Sequence, residues 1–171
     1  MPLVTFDIHT GLAPEQVLAM LTDFSARRPA LWPTLARELY EVYEVHPTSA
    51  DVKEGSSWPT RMWERVHYDW SAPGRVRWTI QESNYCARGS YVEVTLQDET
   101  NEGSHVQVEW KRTALGLKGE VLIALVVLTH GANIRRKVFE RAFDRAARSS
   151  AYCDIAGLVE PSDAIPTSRR R

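Results

Sequence analysis

The last third of this 171-residue chain constrains its fold most. Residues 117–150 place Leu125, Leu128, Ala132, Phe139, Phe143 and Ala146 at helical spacing. Arg135, Arg136, Lys137, Glu140, Arg141 and Arg145 fall largely on the other side. The spacing predicts one long helix over about 117–148. About 34 residues at a rise of 1.5 Å would reach roughly 50 Å, well beyond the common globular helix. So long an apolar stripe needs a broad surface to cover it, and what precedes it reads as strands.

Val4, Phe6 and Ile8 alternate with Thr5, Asp7 and His9, the pattern of a half-buried strand. Pro14 then opens a helix carrying Val17, Leu18 and Leu21, and a second short piece runs near 26–31 between Asp23-Phe24-Ser25 and Pro33. Segments 39–45, 51–54 and 60–70 are strand-like, with Gly55-Ser56-Ser57 and Ala72-Pro73-Gly74 read as turns. Three alternating sets follow: Val76, Trp78, Ile80; Val92, Val94, Leu96; and Val106, Val108, Trp110. Hairpin loops at 84–89 and 99–103 join them. Consecutive strands with short connections imply an antiparallel sheet and an α+β domain over 1–150. Residues 151–171, with Pro161, Pro166 and a terminal Arg169-Arg170-Arg171, read as a flexible tail.

A formal net charge of −1 gives no basic excess of the kind nucleic-acid readers show. The longest apolar run, Val121–Leu128, has eight residues, against roughly 20 needed to span a bilayer. Cys86 and Cys153 lack zinc-site spacing. They are read as reduced thiols in a cytoplasmic protein, since the start of the chain lacks a signal-peptide pattern. The five histidines are scattered, so no metal site is expected. No phosphate-cradling glycine loop or nucleophile elbow occurs, and no cofactor is expected. Cys86 has Arg88 nearby, a neighbour able to activate a thiol, but a lone loop cysteine is read as incidental. His130 precedes Gly131 within the helix, which marks a close ligand approach, a local kink or a packing gap.

Several segments together resemble the START/Bet v 1-like superfamily, also called SRPBCC, and within it bacterial proteins of polyketide cyclase/dehydrase type. Ala13-Pro14-Glu15-Gln16-Val17 with Leu21-Thr22-Asp23-Phe24 resembles the family's opening helix and its Asp-Phe end. Trp32-Pro33, Asp51-Val52-Lys53-Glu54-Gly55, and Gly103 followed by 106–112 match later elements in order. The resemblance covers about 3–148. It implies a helix-grip fold, a curved antiparallel sheet wrapped around a long C-terminal helix with two short helices after the first strand. It also implies an apolar internal cavity and a bacterial setting. It does not imply one reaction, because relatives include lipid carriers, hormone receptors and aromatase/cyclases.

On 60–70 the more apolar face carries Met62, Glu64, Val66, Tyr68 and Trp70, and is placed inward; Arg61, Trp63, Arg65, His67 and Asp69 face out. The expected ligand-binding set is Met62, Glu64, Val66, Tyr68, Trp78, Trp110 and Arg112. Glu64 interrupts an apolar face, and a carboxylate cut off from water is disposed toward acid/base work. The plainer reading pairs it with Arg112. Arg112 itself either grips a ligand carboxylate or phenolate or packs its stem on aromatics. The leading expectation is a domain that binds a hydrophobic or aromatic small molecule. The second is a cyclase/dehydratase using Glu64, Arg112 and Tyr68. The third is a partner-binding module whose interior is filled by Trp78 and Trp110. The oligomeric state, a homodimer included, is left open.

Overall fold

The computed structural model describes residues 3–58, 60–99, 103–128 and 131–149. The order is β1 (Leu3–Thr10), α1 (Pro14–Leu21), α2 (Arg28–Leu31), a one-turn 3-10 helix (Arg37–Leu39), β2 (Glu41–Val45), β3 (Ser49–Ser56), β4 (Met62–Asp69), β5 (Arg75–Ser83), β6 (Tyr91–Glu99), β7 (Gly103–Lys111), α3 (Gly116–Leu128) and α4 (Gly131–Ala147). All strands join one seven-stranded sheet in the order β1-β7-β6-β5-β4-β3-β2. Every pairing is antiparallel. β1 closes on β7, so the chain's first strand borders its last.

The inward sets are those the alternation marks. Val76, Ile80, Val94, Val106 and Val108 are fully buried, and Val92 and Trp110 nearly so. α4 lays Phe139, Ala142, Phe143 and Ala146 on this face, and Phe139 meets Phe6 edge-on at 5.9 Å. α1 begins at Pro14, and the Gln16 side chain accepts the Ala13 N–H at 2.8 Å, covering an otherwise open helix end.

Two expectations need correcting. Leu39 belongs to the 3-10 turn and the strand starts at Glu41. Gly55 and Ser56 are not a turn but the end of β3, paired with Trp63 and Met62. A Cβ at Gly55 would collide with the Met62 carbonyl, so glycine lets the strands stay paired there. The segment expected as a helix over 117–148 is helical at Gly116–Leu128 (α3) and at Gly131–Ala147 (α4). The expectations placed on His130, Cys153, the tail 151–171 and the side chains of Leu125 and Leu128 lie outside the described residues. Among the described residues no helix is long and apolar enough to cross a membrane.

Candidate ligand cavity

Between the inner sheet face and the two C-terminal helices lies a space of about 640 Å³. Trp78, Trp110 and Phe139 form much of its apolar wall, with Trp32 from the loop after α2 and Ile123 from α3. Phe139 stands edge-on to Trp32 at 5.1 Å and stacks near Trp78 at 6.4 Å. Tyr68 stacks on Trp78 at 5.2 Å. At the surface Trp58 is 82% exposed, and Ile134 is also exposed beside the space.

The structure places Met62, Glu64, Tyr68, Trp78 and Trp110 on the wall. Val66 and Arg112 are not there. Val66 is completely buried in the sheet–helix core. Arg112 is 4% exposed and sits behind Glu64, to which its Nη2 donates at 2.9 Å. Neither side chain lines this space, because alternation gives the face of a residue, not its depth. Trp78 and Trp110 both line this space.

Glu54 and Glu64 are direct cross-strand partners on β3 and β4. Like charges placed so are unfavourable, and each is met by its own arginine. Arg28 Nε donates to Glu54 at 2.5 Å. Its Nη1 donates to the Leu21 carbonyl at 2.9 Å and its Nη2 to the Tyr68 hydroxyl at 2.8 Å. Tyr68 in turn donates to Glu54 at 2.9 Å. Burial opposes the charge on Arg28, but the Glu54 carboxylate outweighs it and the guanidinium pKa is raised. Burial, then Glu54, pushes the Tyr68 hydroxyl well above its ordinary range, so it stays protonated.

Glu64 accepts from Arg112 through one oxygen and from the Tyr85 hydroxyl, at 2.8 Å, through the other. Both oxygens of the acid/base candidate are thus engaged. Burial and Glu64 keep Tyr85 protonated. Cys86, next in the chain, is buried, and burial pushes its thiol up to about 12 despite the Arg112 charge. Arg88 points to Gln81 at 3.3 Å, so the activated-thiol idea has no support. Among the described residues no cluster fits a metal ion.

Sequence reasoning missed Arg28, Glu54, Tyr85 and Arg135. Arg135, expected on the solvent face of the helix, lines the cavity with its guanidinium carbon 3.4 Å from the Trp110 ring centroid. Burial and the nearby Arg112 lower its pKa to about 10. The signal was present, since 135 lies three residues past Ala132 and four before Phe139, on the apolar stripe itself. Glu54 follows Ala50 and Val52 at strand period and had the same warrant.

No protein-family model matches the chain, and no curated protein matches it significantly. Solved structures do. TTHA0849 from Thermus thermophilus superposes with a TM-score of 0.70 at 16% identity, over 87% of this chain and 99% of that one. The Zhui aromatase/cyclase of a Streptomyces species gives 0.64 at 14%, over 88% and 97%. A START superfamily protein from Mycobacterium smegmatis gives 0.58 at 13%, over 81% and 97%. At these identities the likeness is one of architecture. The chain has the helix-grip fold of the START/Bet v 1-like superfamily, with aromatase/cyclases among its structural neighbours.

Proposed function

We propose that the chain binds one apolar or aromatic small molecule, lipid- or polyketide-like, in the space between sheet and helices. The observation that carries this reading is an aromatic-walled volume of about 640 Å³ with a few polar groups fixed by partners. Ligand sites commonly measure about 300–1,000 Å³ and have this lining. Aromatic walls supply affinity, while the Arg28–Glu54–Tyr68 and Arg112–Glu64–Tyr85 networks supply fixed polar points for orientation. A bacterial cytoplasm as its setting is part of the same proposal.

A second reading, a cyclase/dehydratase-type reaction, draws on the Tyr85 hydroxyl in the wall and on the architecture shared with Zhui aromatase/cyclase. The Tyr85 oxygen would there accept a hydrogen bond from a substrate hydroxyl, its own proton being held by Glu64 as the positioning residue. Binding is preferred because both Glu64 oxygens already accept hydrogen bonds, from Tyr85 and Arg112, and Arg112 does not reach the cavity wall.

Native mass spectrometry of protein purified from its own host tests the proposal. A single adduct of small-molecule mass, lost on denaturation, is expected. If the chain flies bare and no apolar compound in a panel raises its melting temperature, the binding reading is wrong.

A further inference from the structure

The two ends of the polar row across β3 and β4 differ. At one end Arg28 and Glu54 cancel, and Tyr68 closes the set. At the other, Arg112 and Arg135 share a single described carboxylate, Glu64. Arg112 gives only Nη2 to it; Nε and Nη1 are buried with no partner. Arg135 Nε is buried without a partner too, as is the indole Nε1 of Trp110. The two guanidinium carbons lie 3.4 Å and 5.5 Å from the Trp110 ring centroid. Four buried N–H donors from three side chains are therefore gathered round one ring without an acceptor, with one positive charge in excess.

Buried donors are almost always satisfied in folded proteins, and an unmatched buried charge is costly. An arginine lining an apolar space therefore calls for an acceptor that the described residues do not supply. We propose, resting on the small-molecule reading above, that the ligand is an organic acid whose carboxylate is held by Arg135 and the Trp110 indole N–H. Its apolar body then lies against Phe139 and Trp78. Arg112 acts from behind, tied to Glu64, and contributes its field. The Arg28 end needs no such group.

The probes are naphthoate and its methyl ester, alike in shape and different in charge, titrated by calorimetry into the full chain. Charge-assisted hydrogen bonds are the stronger kind, so naphthoate should bind wild type about tenfold or more tighter than the ester. Arg135→Met, which keeps length and removes charge, should bring that ratio close to one; its melting curve checks the fold. Should that variant not fold, Trp110→Phe removes the indole N–H together with part of the ring, a loss the ester shares, and should shrink the acid-to-ester ratio about threefold. Equal binding of acid and ester by wild type would overturn the inference and leave the small-molecule reading standing. A ratio unchanged in the variant that folds would also overturn it. If neither probe binds, the inference falls, while the small-molecule reading stands or falls by the adduct and the wider panel.

Discussion

Removing the Glu64 charge exposes how the polar row is held. Glu64 is 9% exposed and Arg112 4%, and they meet at 2.9 Å. Glu64→Gln keeps the shape but leaves the Arg112 guanidinium with no carboxylate, beside Arg135, with Nε and Nη1 already unpartnered. Removing one member of a buried pair costs about 3–5 kcal/mol. For a chain of this length each kcal/mol moves the melting temperature by roughly 2–4 °C, so the fall should be about 6–20 °C. Guanidinium chloride denaturation followed by tryptophan fluorescence should show a lower midpoint at unchanged slope. The double variant Glu64→Gln with Arg112→Met should recover most of the loss, because no buried charge is then orphaned. A single variant within about 1 kcal/mol of wild type would refute the reasoning, since the pair would then be solvated.

Two further outcomes follow from the packing. The Cys86 thiol, held up to about 12 by burial against an ordinary 9.0, loses its proton later in the folded chain than in the unfolded one. Its stabilising contribution is present below about pH 9 and declines as pH rises toward 12. Denaturation midpoints should therefore be lower near about pH 10 than near about pH 8. Peptide mapping should find Cys86 unalkylated in native protein at about pH 8, and ready modification there would show that it is exposed. At Gly119 an added Cβ would strike the Tyr85 carbonyl. Gly119→Ala should cost about 1–3 kcal/mol by pushing α3 off the loop that carries Tyr85; an unchanged melting temperature would contradict that close approach.

The fold was largely legible in the chain because each strand buries one face only. Period-two alternation marked Val76–Ile80, Val92–Leu96 and Val106–Trp110, and these became the inner face. It also placed Glu64 and Tyr68 inward correctly. What it could not show was depth: Val66 and Glu64 share a face, yet only Glu64 reaches the cavity. Charge misled at Arg135, where the residue type argued for solvent and its place on the stripe argued for the interior. Arg28 was beyond reach, because a four-residue helix has no periodicity to read and its partner Glu54 comes from a strand 26 positions away.

The central claim is that a small apolar molecule occupies the space under α4. Val138 is half-buried on that helix and lines the cavity. Val138→Trp would fill part of the volume without introducing charge. Calorimetric titration of wild type and this variant with methyl naphthoate measures the claim directly. Wild type should saturate at one site, and the variant, melting like wild type, should bind at least about tenfold more weakly. Equal affinity in the two proteins would place binding somewhere other than this cavity and contradict the account.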